Sequence, residues 1–175
     1  MLEHDISPFS QPSLKDTKII KKIMRYEATG RAIVEFDKYK QCLTDYCYWF
    51  LLSTLCVSYT GWSDLRMWKR LFRSPRPNRT ACLMKPSEIR AFDLLPSTVT
   101  AYRAKRSNEQ DCIAYTLNLE MAAQWAVQRG VKDVHCYTVD KKNILALFLR
   151  RNEQEIIVLE QDHVDFMMTI AVEIG

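Results

Sequence analysis

Up to Pro96 the large apolar residues recur three or four positions apart, and beyond it they fall into short alternating runs. Ile19, Ile20, Ile23 and Met24 recur between lysines and predict a helix from Thr17 to about Tyr26, interrupted by Gly30. A longer helix is expected from about Phe36 to Val57, with a break near Tyr59-Thr60-Gly61. Ser63 or Asp64 stands where a cap belongs for the next helix, in which Leu65, Trp68, Leu71 and Phe72 share one face. Ser74-Pro75-Arg76-Pro77-Asn78 reads as a basic loop. Pro86 opens a short helix through Ile89, Phe92 and Leu95, which Pro96 ends.

After Pro96 strands are expected over Thr98–Ala104, Ile113–Leu117, Val134–Val139, Ile144–Leu149 and Glu155–Leu159, and Val164–Ile174 forms one more strand or a hairpin. Between the second and third, Asn118 caps an amphipathic helix carrying Leu119, Ala122, Ala123, Trp125 and Ala126, stopped by Gly130. The pattern is α+β: a helical N-terminal half followed by a mainly β C-terminal half. A chain of 175 residues fits a single domain, divided into an arm (1–16) that is flexible or loosely docked, a mainly helical part (17–95) and a mainly β part (96–175).

Charge is unevenly spread along the chain. The net charge is +4, but between Arg66 and Arg106 eleven basic residues face only Asp64, Glu88 and Asp93 nearby. Such a surplus is either a solvated face with its loop or a patch that attracts phosphates. The six cysteines lack the C-x-x-C spacing of a zinc site and read as small buried hydrophobes, and His4, His135 and His163 show no ligand spacing, so no metal is expected. The start, Met1-Leu2-Glu3-His4-Asp5, lacks the features of a secretory signal, which places the chain in the cytoplasm. The apolar run Tyr46–Val57 is shorter than the ~20 residues of a membrane span and reads as a buried helix.

Three short motifs carry the candidate chemistry. Tyr102-Arg103 closes one strand and offers a planar fork for phosphate. Ala114-Tyr115-Thr116-Leu117 brings a hydroxyl and an aromatic ring to the start of a helix. If Arg151–Leu159 is extended, Glu153 and Glu155 point the same way, with Ile157 continuing that face into the core. A carboxylate there can polarise a hydroxyl or stabilise a developing positive charge.

In this order the motifs, with E-x-A-A-x-W-A in the intervening helix and I-L-A-L-F-x-x-R-x-E-x-E-I-I-V after it, resemble the catalytic half of ADP-ribosyltransferases with an arginine, serine and glutamate triad. The resemblance covers roughly Leu83 to Leu159. It implies a mixed, split β-sheet core and an enzyme that transfers ADP-ribose from NAD to a macromolecular acceptor, protein or nucleic acid. By the same resemblance Glu155 is the catalytic glutamate, Glu153 orients or deprotonates the acceptor, and Arg103 and Thr116 hold NAD, with Tyr102, Tyr115 and Trp125 as candidate nicotinamide-stacking rings, of which Trp125 reads rather as core. Ala104 stands where the family commonly has glycine, and Ala114 where it has serine. A single-domain member of this kind implies a bacterial toxin, an anti-phage defence effector or a phage protein that modifies its host, held in check by a neutralising partner. The alternatives are an NAD glycohydrolase and a non-catalytic module that binds nucleic acid or protein.

Overall fold

The computed structural model, which describes residues 5–59 and 64–172, changes character close to where the sequence does. The chain forms two units, Met1–Ile89 and Arg90–Gly175. Among the described residues the first is built of helices and the second around a sheet. The expected break at Thr60-Gly61, the alternative cap Ser63, the residues Met1–His4 and the last residues of the final apolar stretch lie outside the described residues.

In the first unit α1 (Leu14–Met24) begins at a capping box. The Ser13 hydroxyl accepts the Asp16 N–H at 3.1 Å and the Asp16 carboxylate accepts the Ser13 N–H at 3.0 Å. The other Asp16 oxygen accepts the Thr44 N–H at 2.9 Å. Upstream, Asp5 accepts the Ser87 N–H at 2.8 Å and the Ser7 hydroxyl donates to the Ala81 carbonyl at 2.8 Å. The segment expected to be a flexible or loosely docked arm is therefore fastened to its own unit.

The single helix expected over Phe36–Val57 is two helices. α2 (Gly30–Tyr39) gives way to a 3-10 turn at Lys40–Cys42, and α3 (Asp45–Ser58) restarts at Thr44, whose hydroxyl accepts the Cys47 N–H at 3.4 Å. A Thr-Asp pair is a start signal, and here it overrides the apolar periodicity that runs across it. Tyr48, Trp49, Leu51, Leu52 and Leu55 of α3 are all buried, so this helix is enclosed around most of its circumference, with a half-buried stripe at Tyr46, Phe50 and Thr54. No helix among the described residues is long and apolar enough to cross a membrane.

α4 (Leu65–Phe72), capped by Asp64, then α5 (Arg79–Leu83) and α6 (Pro86–Asp93) complete the helices of this half. Much of the basic stretch is committed to holding them. Arg76 donates to Asp45 and to the carbonyls of Leu43 and Lys40 at 2.9–3.0 Å, and lies 4.6 Å over the Tyr48 ring. Arg70 pairs with Asp37 at 3.0 Å, and Arg79 donates to the Phe72 carbonyl. An open basin of about 560 Å³ remains beside them, lined by Arg73, Arg76, Arg79, Ser74, Asn78 and Thr80 among others.

The second unit contains β1 (Thr98–Arg103), β2 (Ala114–Thr116), α7 (Leu119–Arg129), β3 (Asp133–Asp140), β4 (Ala146–Phe148), β5 (Glu155–Ile157) and β6 (Val164–Ala171). The strands lie in the order β4-β5-β2-β1-β3-β6 and every pairing is antiparallel. A mixed, split sheet was expected; the observed one is antiparallel and continuous. Asn118 caps α7 by accepting the Glu120 and Met121 N–H groups, and Gly130 ends it in the left-handed region at φ +65. Ala122 and Ala126 let α7 lie close on Ala104 and Val134, with Tyr102 and Trp125 at the margin.

Candidate functional site

The three motifs are far apart in sequence, and the sheet order makes their strands β1, β2 and β5 neighbours. The register is more specific. Tyr102 pairs with Thr116, Thr116 with Glu155 and Glu155 with Phe148, forming one row across four strands. Paired positions project from the same face, and Tyr102 packs against α7, so Thr116 and Glu155 also belong to the α7 face. Arg103 and Tyr115 are each one position away and project from the other face. The structure thus brings Tyr102, Thr116 and Glu155 together and turns Arg103 and Tyr115 away from them.

Glu153 reaches the site by a different route from the one expected. The chain is not extended through Arg151–Leu159; β5 starts only at Glu155. Arg151, Asn152 and Gln154 have positive φ values of 63, 58 and 45, and Glu153 between them is helical. The E-x-E is therefore a tight turn, and strand alternation does not align its carboxylates. Left-handed backbone costs roughly 1 kcal/mol or more at each non-glycine residue. Thr116 holds the turn down: its hydroxyl donates to the Glu153 carbonyl at 2.5 Å and accepts the Asn118 N–H at 3.0 Å. The Leu117 N–H donates to the Gln154 carbonyl at 3.0 Å. Thr116, completely buried, is thus a clamp on the two glutamates.

Both carboxyls sit in an environment that resists ionisation. Burial, then the nearby Glu153 charge, pushes Glu155 up to about 8, against the partial relief of Arg103, Arg151 and Arg129. Among the described residues its Oε1 is sealed from solvent and has no hydrogen-bond partner. Glu153 is also raised by burial, against the attraction of Arg151, whose Nε lies 3.4 Å from its carboxylate, and of Arg129.

On the opposite face Arg103 is already engaged. Its guanidinium forms a buried ion pair with Glu109 and donates to the Ala114 carbonyl at 2.6 Å, while its Nε is buried without a partner among the described residues. Glu109 also accepts the Arg106 N–H at 3.1 Å, closing the loop after β1. Tyr115, 1% exposed, receives hydrogen bonds at its hydroxyl from Cys112 at 3.1 Å and Gln161 at 2.9 Å, and its ring meets Tyr137 edge-on. Burial first, then the Cys112 neighbour, raises the Tyr115 hydroxyl.

Sequence reasoning missed two residues. Glu109 sits in a polar loop with no periodic signal. Arg129, at the end of α7, looks like an ordinary helix-terminal base, yet its Nη1 donates to the Ala104 carbonyl at 2.7 Å and its charge acts on both glutamates. A-x-x-x-A in α7, which permits the close approach to β1, was the available clue. Among the described residues no three His, Cys, Asp or Glu side chains gather as metal ligands, and all six cysteines are free thiols. Comparison of the chain with known protein families, curated proteins and solved structures finds no match.

Proposed function

We propose that the sheet unit is an NAD-dependent mono-ADP-ribosyltransferase acting on a macromolecular acceptor. One observation carries the reading: β1, β2 and β5 are neighbours, so that Thr116 clamps a strained turn that holds the buried Glu153 and leads into the half-buried Glu155, whose sealed Oε1 has no partner among the described residues. An orphaned buried acceptor fits a ligand hydroxyl that completes its hydrogen bonding. A ribose hydroxyl of NAD supplies such a donor.

In the reaction the bond between the ribose carbon and nicotinamide breaks, and its electron pair leaves with nicotinamide. The ionised Glu155 carboxylate faces the positive charge that develops on the ribose. An acceptor oxygen or nitrogen then bonds to that carbon, and its proton passes to Glu153. Tyr102, on the same face and packed at the margin of the α7 contact, would supply the aromatic contact to nicotinamide. Such a chain acts as a toxin, a defence effector or a host-modifying phage protein, with a neutralising protein as partner.

Labelled NAD incubated with cell extract tests this. Label on macromolecules that disappears with Glu155→Ala supports the reading, and nuclease against protease treatment identifies the acceptor. No label, or label unchanged in the variant, removes it. Release of nicotinamide without labelled macromolecule indicates a glycohydrolase. The Arg103–Glu109 pair favours a second reading, a binding module without turnover; NAD binding by calorimetry without nicotinamide release supports that one.

A further inference from the structure

The family resemblance gives the substrate's phosphates to Arg103, but Arg103 projects from the face opposite Glu155 and its fork is filled by Glu109 and the Ala114 carbonyl. Drawing it to a ligand would leave Glu109, 3% exposed, without its counter-charge. A phosphate ligand must come from elsewhere.

Arg129 has the properties that Arg103 lacks. α7 packs over β1, β2 and β3 on the face that carries Tyr102, the face to which the register also assigns Thr116 and Glu155, and Arg129 lies in its last turn. The guanidinium is held by the Ala104 carbonyl at 2.7 Å and lies 5.5 Å over the Trp125 ring. Both contacts orient the cation without neutralising it. Among the described residues no carboxylate lies within ion-pair distance of it. Burial, then the charges of Arg103 and Arg106, pushes it down to about 10, the signature of a cation that would gain from an added anion. Glu109 and Cys112 offset only part of this, and Arg129 in turn acts on Glu153 and Glu155, whose carboxyls are themselves raised.

We propose that Arg129, and not Arg103, receives the diphosphate of the dinucleotide substrate, at the end of α7 on the face that carries Glu155. This rests on the proposed transferase reading for the identity of the dinucleotide, and on the placement of Arg129 for the residue. A guanidinium fixed through one edge keeps its other N–H groups for a phosphate, and the bidentate geometry of Arg suits it.

The test is calorimetric binding of NAD, ADP-ribose and ADP to the wild-type chain, Arg129→Gln and Arg129→Lys, with steady-state kinetics on the same proteins. Arg129→Gln is expected to weaken all three diphosphates by about 10- to 100-fold and to raise KM for NAD by a larger factor than it lowers kcat, and Arg129→Lys to recover part of the loss. Circular dichroism of each variant checks that it folds. If a folded Arg129→Gln binds the three ligands as the wild type does, the assignment is wrong while the transferase reading stands. If KM is unchanged and only the pH midpoint of kcat moves, Arg129 is a counter-charge for the glutamates and the assignment again fails. A wild type that binds ADP-ribose through Arg129 but never cleaves NAD leaves the assignment and removes the transferase. A wild type that binds none of the three removes both.

Discussion

Replacing Glu155 by glutamine should make the protein more stable at neutral pH while abolishing its proposed chemistry. The carboxyl titrates at about 8 in the folded chain against an ordinary 4.5, because burial and the Glu153 charge disfavour its ionised form, while Arg103, Arg151 and Arg129 offset only part of this. A folded-state value raised in this way means that the native protein binds the proton more tightly than the unfolded chain. Stability is then highest below the unfolded value and falls as pH rises from there to the folded value. From the difference between the two titrations the loss is about 1 kcal/mol at pH 5 and about 3 kcal/mol at pH 7. Glutamine cannot ionise and escapes that loss, but its amide meets the same unpartnered surroundings as Oε1, which costs about 1 kcal/mol. Glu155→Gln is therefore expected to gain about 2 kcal/mol at pH 7 and little or nothing at pH 5. Urea unfolding followed by far-UV circular dichroism at pH 5, 6, 7 and 8 measures this. The comparison between variants at each pH matters more than any absolute value, because the chain has two units. Curves for the two proteins that stay parallel from pH 5 to 8 would refute the idea that Glu155 is buried and hard to ionise.

The same titration predicts that kcat/KM for NAD rises with pH and levels off above about 8, since the proposed mechanism uses ionised Glu155; a profile flat from pH 6 to 9 contradicts it. Thr116→Val keeps the shape of the residue but removes the hydrogen bonds to the Glu153 carbonyl and from the Asn118 N–H, and should cost about 1–3 kcal/mol in urea unfolding and lower kcat. Gln154→Gly relieves a left-handed residue and should leave stability unchanged or raise it by up to about 1 kcal/mol, read as a higher Tm. Glu109→Ala strands Arg103 in the interior and should cost about 3–5 kcal/mol, measured by urea unfolding, with no recovery on adding ADP-ribose.

The elements legible in the sequence were those whose local signals agree with their packing. Asn118 and Gly130 mark the ends of α7, Pro86 begins α6, and the alternating runs at Thr98 and Val134 give β1 and β3. The reading failed where a local signal competed with periodicity or where partners came from distant segments. Thr44-Asp45 splits an apolar run that otherwise looks like one helix. Arg76 reads as part of a basic loop because Asp45 and the Leu43 carbonyl, which engage it, lie some thirty positions away (31 and 33). The site shows both effects. That the motifs share a site follows from sheet order, which sequence order does not reveal, and alternation within β1 is enough to separate Tyr102 from Arg103.

The E-x-E turn joins these failures into one physical statement. An extended strand would send both glutamates to one face by alternation alone, at no conformational expense, and would leave Thr116 with nothing to do. Instead three residues of the turn adopt left-handed backbone, none of them glycine, and Thr116 with Leu117 supplies the hydrogen bonds that keep them there. A strained backbone persists only where its surroundings over-determine it. Here the determining residues are the last of β2, the strand that lies between β1 and β5, and the one that follows it. The middle motif therefore acts on the glutamates through the backbone, and the hydroxyl that matters is the one at Thr116. Ala114, where the resemblance expects serine, faces Ile157 in the register, two positions from Thr116 along β2, and a hydroxyl there is not needed to hold Glu153.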